Sequence, residues 1–378
     1  MNFKFMSMAA MAACVAFTSC SNDEVSSNEG HLNALSRVNV GIQTQKSRAG
    51  ITAESFSGSE SIGLFLFGEG GITADGKSDY NIGTTGKLAE PVNIKYFRGE
   101  GVDKVNPDGT PNPEWFVSDN PIILSAKAGK LYSYYPWAEG NVDANKIPVT
   151  VALNQGTGIT DGTADDATYQ YDYMWSTPVP SVNNTTQHVN LTMNHALAMV
   201  SFKFVRNTYP GEGKITSIQL KNGSGSQYLL SGDATMNIGT GALDLSAAAS
   251  DKVIYCEPNQ VLVWGEGIFA GVQEGEISHQ SLPRMLVYPN ATNIADGDVV
   301  LSITMDGKTY ELNLPAELSK GANKEYAWTA GQNYLYTLNM NGYGFGANDE
   351  DGKDDIDVTI TKWNVNETVA GEMNKPIN

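Results

Sequence analysis

Apolar residues in this chain recur mostly at every second position, in short runs closed by turn formers. That is the period of a half-buried strand, and almost nothing after residue 50 has helical periodicity. Val38, Val40 and Ile42 alternate with Asn39, Gly41 and Gln43. Residues 62–67 read IGLFLF, a short continuous apolar run ahead of a glycine-rich turn. Tyr132 and Tyr134 share one parity with Pro136, and Ser133 and Tyr135 the other with Trp137, which predicts a strand ending at proline. Residues 189–205, VNLTMNHALAMVSFKFV, read as further strand, and residues 207–213, NTYPGEG, are dense in turn formers. Strands follow at ITSIQL (215–220), QVLVW (260–264), VVLSITM (299–305), KTYELNL (308–314), YLYTLNM (334–340) and IDVTITKW (356–363). Asp306-Gly307 between two of them is a two-residue hairpin signal. Many short strands spaced by turns predict an all-β protein of sandwiches or barrels. The NTYPGEG segment sets a domain boundary, with halves at 32–206 and 207–378.

The N-terminus follows different rules. Lys4 supplies a positive start, and Phe5 to Phe17 is mostly apolar and uncharged. That is the length of a signal-peptide core and too short to span a bilayer. Thr18 and Ser19 are small and precede Cys20. The stretch Phe17-Thr18-Ser19-Cys20 resembles a lipobox, with Phe in place of the usual Leu. Ser21-Asn22-Asp23-Glu24 resembles the acidic export signal of surface lipoproteins in some Gram-negative bacteria. Residues 1–19 are therefore read as a signal peptide and 20–31 as a polar tether whose Cys20 carries lipid. An ordinary secretory signal with a chance cysteine is the plainer reading. Acyl chains on Cys20 would hold the protein on an outer membrane, where a single chain binds only marginally.

Composition narrows the function. The chain has 378 residues and a formal net charge of −18, which argues against nucleic acid and against unaided binding to anionic lipid. With 39 glycines it has the character of an extracellular β-protein. It has 3 cysteines, of which Cys14 leaves with the signal and Cys20 is taken by lipid, so Cys256 has no intramolecular partner.

No catalytic or cofactor constellation emerges. His188 and His195 are seven apart, an odd separation that puts them on opposite faces of a strand, and no zinc spacing accompanies them. Residues 349–355, DEDGKDD, fail the EF-hand pattern: with Gly352 as its glycine, Ala347 and Val358 fall at the first and last ligand positions. Gly68 to Gly71 lacks the lysine of a phosphate loop, and GxSxG is absent. Asp165 and Asp166 read as a loop pair, and Cys256 as a buried inert thiol. Trp115, Trp137 and Trp175 fit a core better than a sugar-binding face, although the latter stays open.

Several stretches taken in order resemble the fimbrillin-like family, the type V pilins. They are KSRAGI (46–51), SIGLFLF (61–67), KLYSYYPWA (130–138), LTMNHALAMVSFKF (191–204), WTAGQNYLYTLNMNG (328–342) and VTITKW (358–363). The resemblance implies two β-sandwich domains of transthyretin-like (Greek-key) topology, a lipoprotein precursor, and surface fimbriae built with other subunits by strand exchange. It implies a removable N-terminal strand, residues 36–46 here, carrying Val38, Val40 and Ile42. It also implies proteolysis at an arginine, for which Arg48–Ala49 is the natural bond, because cutting at Arg37–Val38 would leave the strand attached. The tail after Trp363, NVNETVAGEMNKPIN, is sparse in apolar residues and a poor donor strand. A tip, minor or anchor subunit is thus at least as good a reading as a shaft subunit, with a host or bacterial surface ligand as a further partner. The alternative is a surface lipoprotein that binds glycan and never polymerises.

Overall fold

An apolar residue or glycine at every position of 62–67 requires a strand covered on both faces. In the computed structural model of the protein, all eight residues of the strand Ser61–Gly68 are buried. The structure describes residues 36–43, 61–80, 91–98, 115–140, 143–155, 170–186, 188–206, 209–249, 254–256, 260–261, 283–295, 297–314, 327–341, 344–345 and 356–362. Among these residues the regular structure is β-strand throughout, so the protein is all-β.

The strands of the first half are β1 (Ser36–Arg37), β2 (Asn39–Gln43), β3 (Ser61–Gly68), β4 (Ile94–Arg98), β5 (Trp115–Val117), β6 (Ile123–Leu124), β7 (Gly129–Tyr135), β8 (Ile147–Val151), β9 (Met174–Ser176), β10 (Val179–Val182), β11 (His188–His195) and β12 (Ala198–Arg206). Those of the second are β13 (Lys214–Asn222), β14 (Gly232–Met236), β15 (Leu243–Asp244), β16 (Ile254–Cys256), β17 (Gln260–Val261), β18 (Arg284–Val287), β19 (Val299–Met305), β20 (Lys308–Leu314), β21 (Gln332–Asn341), β22 (Gly344–Phe345) and β23 (Ile356–Lys362).

One sheet closes on itself. Its order is β7-β3-β4-β5-β2-β11-β9, and β9 returns to β7 by pairing Trp175 with Tyr134 and Met174 with Tyr135. β10 takes the rest of that edge of β7. A first core gathers side chains from around this ring: Ile62, Leu64 and Leu66 of β3, Tyr96 of β4, Leu131 of β7, and Val189, Leu191 and Met193 of β11. Phe65 and Phe67 alternate to the other face of β3 and join a second core. Gly63 has no side chain because a Cβ there would fall 2.1 Å from the Tyr134 ring.

The second core is larger and draws on both halves of the chain, including Val149, Phe202, Ile218, Leu301, Trp328 and Tyr336. Around it lie the sheets β18-β12-β21, with β22 and β23 also on β21, then β16-β13-β19-β20, and β15-β14-β8. β12 thus pairs with strands of the second half. The apolar run 189–205 is not one strand. In β11 the alternate positions Val189, Leu191 and Met193 carry the buried apolar side chains; in β12 every position from Ala198 to Phe202 is buried. The alternation ends at the bend at 196–197, and the chain changes sheet there.

The hairpin β19–β20 turns at Asp306 and Gly307, with φ of 47 and 74, the pair of positive angles that such a turn demands. The Asp306 carboxylate accepts hydrogen bonds from Tyr209 Oη (2.8 Å), Gly213 N (2.8 Å) and Lys214 N (2.9 Å). This fastens the turn-rich segment after residue 206 to the hairpin.

Candidate functional site

The alternation at 38–42 dictates a strand with one buried face, and the structure places that strand inside the closed sheet. β2 lies between β11, to which it is parallel, and β5, to which it is antiparallel. On one side Val40 is in register with Val189, and position 42 with Leu191; on the other, Val40 is in register with Phe116. Two residues upstream, β1 pairs with β6, Ser36 opposite Leu124 and Arg37 opposite Ile123. Between these pairings the Val38 N–H donates to the Ile122 carbonyl at 2.9 Å.

The side chains explain why the slot holds its strand. Val38 is 3% exposed and Val40 is 0% exposed, both packed in the first core. Each contributes roughly 1.5–3 kcal/mol by burial, so the two together approach the net stability of a small domain. Neither of these two side chains, the ones described in 36–43, is part of the second core.

Tyr96 supplies the polar link. Its hydroxyl accepts the Ile122 N–H at 2.9 Å and donates to the Val38 carbonyl at 3.5 Å. Burial pushes the Tyr96 phenol up to about 12, a shift that the Ile122 N–H partly opposes. The hydroxyl therefore stays a donor at neutral pH. Sequence reasoning passed over Tyr96, which sits in an ordinary IKYFR run. The β1–β6 pairing was also missed, because β6 is only two residues long.

Of the residues singled out in the sequence, Cys20, Arg48, Ala49, Asp165, Asp166 and 349–355 lie outside the described residues, as do the side chains of Ile42, Trp115, His188 and Cys256. His195 is buried, its Nδ1 at 3.0 and 2.9 Å from the two carboxylate oxygens of Asp172. Among the described residues no three His, Cys, Asp or Glu side chains cluster as metal ligands. Trp137 donates from Nε1 to the Asn93 carbonyl at 3.2 Å, and Lys95 Nζ lies over its ring, 4.6 Å from the centroid. Trp175 is half-buried against Gly241, where a Cβ would come 2.1 Å from its Nε1. Both rings are thus engaged by the protein itself. A pocket of about 700 Å³ opens beside the second core between Tyr228, Leu243, Tyr288 and Trp328, with no charged side chain among the described residues of its lining.

Comparison with known proteins agrees with this architecture. A family model described as fimbrillin-like matches residues 47–363. Among solved structures, a proposed cell-adhesion protein from Bacteroides uniformis is similar at 17% identity and a TM-score of 0.52, over 86% of this chain and 98% of its own. One from Bacteroides ovatus is similar at 16% identity and a TM-score of 0.54, over 88% of this chain and 100% of its own. The curated proteins contain no match.

Proposed function

The chain belongs to the fimbrillin-like family, and from that membership we propose that it is a structural subunit of a bacterial surface fimbria whose N-terminal strand is a removable plug. The observation that carries this reading is the position of β2: a strand from the start of the chain, hydrogen-bonded on both edges, filling a sheet that is otherwise continuous. Cleavage at Arg48–Ala49 would free it. Its loss would bare the facing edges of β5 and β11 and the apolar surface under Val38 and Val40. Such an edge pair is a template for a strand from another chain, with main-chain hydrogen bonds for affinity and alternate side-chain pockets for selectivity.

The precursor is exported under the signal 1–19 and held at the outer membrane through lipid on Cys20 and the tether 20–31. The body holds two sandwich units, and because β8 pairs with β14 and β12 with β18 and β21, they are not divided by a single cut after residue 206. Cutting after Arg48 releases the body from its anchor, so anchoring and assembly are alternative fates. Its partners are other fimbrial subunits. The weak tail after Trp363 favours a tip, minor or anchor position, in which the subunit accepts a strand more readily than it gives one.

The test uses the precursor with Cys20→Ser, cut by an arginine-specific protease. A labelled peptide of residues 36–46 is then added. One-to-one capture of the peptide by the cut protein, and none by the uncut protein or by Arg48→Ala, is the expected result. Ladders of multimers without peptide would add self-donation. A cut protein that stays monomeric, melts as before and ignores the peptide would sink the reading.

A further inference from the structure

Among the described residues β15, β16 and β20 end their sheets, and so do two strands whose ends are closed in a particular way. β8 is terminal in β15-β14-β8, and β18 is terminal in its sheet beyond β12. An open strand end of this kind is a docking template for any extended chain, a liability for a protein that works by strand exchange. The β8 and β18 ends are each met by the side-chain amide of a glutamine.

On β8 the pairing with β14 uses one parity of the backbone, and the other faces away. Pro148 has no N–H to offer and stands on the parity that faces away. Past the Pro148 carbonyl and the Thr150 N–H, that parity presents the Thr150 carbonyl and the Ala152 N–H. Gln170 takes both: Ala152 N donates to its Oε1 at 2.7 Å, and its Nε2 donates to the Thr150 carbonyl at 3.0 Å and to Tyr171 O at 2.9 Å. On β18 the outward residue is Leu286. Its N–H donates to Gln155 Oε1 at 2.8 Å, and its carbonyl accepts from Gln155 Nε2 at 2.8 Å. The second proton of Gln155 Nε2 goes to the Ala152 carbonyl at 3.4 Å. Gln155 and Gln170 are 0% and 1% exposed.

A primary amide carries one donor face and one acceptor, as a peptide group does. Placed across an i, i+2 pair, or opposite one outward residue, it makes the two hydrogen bonds that a neighbouring strand would make. It cannot be extended, because no further backbone follows it. All four N–H bonds of the two amides are spent on backbone carbonyls, so neither side chain has a proton left to recruit a partner.

We propose that Gln155 and Gln170 are side-chain plugs that blunt the outer edges of β8 and β18. They select against addition of a strand from a second copy at the wrong edge. This rests on the strand-exchange reading above.

The test replaces each glutamine by methionine, of similar shape but unable to bond the edge, in the uncut precursor with Cys20→Ser and Arg48→Ala. Light scattering should find the parent monomeric. The variants, and the double variant most of all, should form multimers without cleavage, with amide exchange at Leu286 or Ala152 roughly tenfold faster. Gln155→Glu and Gln170→Glu keep the acceptor and lose the donor, and should fall between. They also serve if the methionine variants lose their native circular dichroism. Variants that fold, exchange faster at those amides and remain monomeric would overturn the proposal. The peptide-capture experiment is independent. If it fails in the parent, the slot itself is misread; if it succeeds while the variants stay monomeric, only the plugs are.

Discussion

Val40 stands in register with Val189 across a parallel pairing, and both side chains are buried in one core. The residues are far apart in sequence, and parallel pairing needs a long connection, so this contact forms only when the start of the chain returns to the finished body. Val40→Ala removes two methyl groups from that contact. It should lower the stability of the uncut precursor by about 2 kcal/mol in denaturant titration. After cleavage it should speed release of the strand. Unchanged stability would mean that the slot does not depend on its side chains.

Tyr96 links Val38 to Ile122 through a single hydroxyl. In Tyr96→Phe the ring still fills its place, but the Ile122 N–H loses its acceptor in a buried position. A cost of about 1–3 kcal/mol is expected, with faster amide exchange at Ile122. Exchange at Ile303, in the second core, should not move.

Burial holds the Tyr96 and Tyr134 phenols up to about 12, from an ordinary value of 10.0. Between those values the unfolded chain releases the protons while the folded chain keeps them. The unfolded state then binds fewer protons, so stability is fully present below the lower value and falls as pH rises toward the upper one. Each phenol contributes at most about 1.4 kcal/mol per pH unit in that window. Melting curves across the alkaline range should show this decline, and it should be shallower in Tyr96→Phe.

Gly63 is opposite Tyr134, whose hydroxyl donates to Asn93 Oδ1 at 2.6 Å and accepts from Ala138 N at 3.0 Å. Gly63→Ala would push that ring out of both hydrogen bonds. The expected loss is about 3 kcal/mol by thermal denaturation, large for one methyl group. A near-neutral result would show that the Tyr134 ring can move aside freely.

Local patterns carried much of this fold. The hairpin at Asp306-Gly307 is visible because two positive φ angles select those residue types, and β3 because a strand with six such positions must be covered on both faces. The division between β11 and β12 also left a trace, the shift of apolar parity between Met193 and Phe202, which passes for one long strand when only apolar content is followed. The strand 36–43 could be read as half-buried, but not its place between β5 and β11. Nothing local records a partner more than a hundred residues away. Gln155 and Gln170 were invisible for a different reason. In their polar, glycine-bearing surroundings glutamine reads as solvated, and its role depends wholly on which backbone groups it meets.

The two cores are supported unequally by β2. Val38 and Val40, the described side chains of that segment, belong to the first and not to the second. Removal of the strand should therefore not unfold the whole chain. Amide exchange in cut protein should accelerate along β11, at Val189 and Leu191, which lose the strand beside them. Exchange at Ile218, Leu301 and Ile303 should stay slow. β3 carries side chains into both cores, Leu64 and Leu66 into one, Phe65 and Phe67 into the other, so its amides should show intermediate acceleration. Rapid exchange across all of these positions would mean that the cores fold as one cooperative unit. A cut subunit would then have no stable body to wait for a new strand, and exchange would have to be concerted with cleavage.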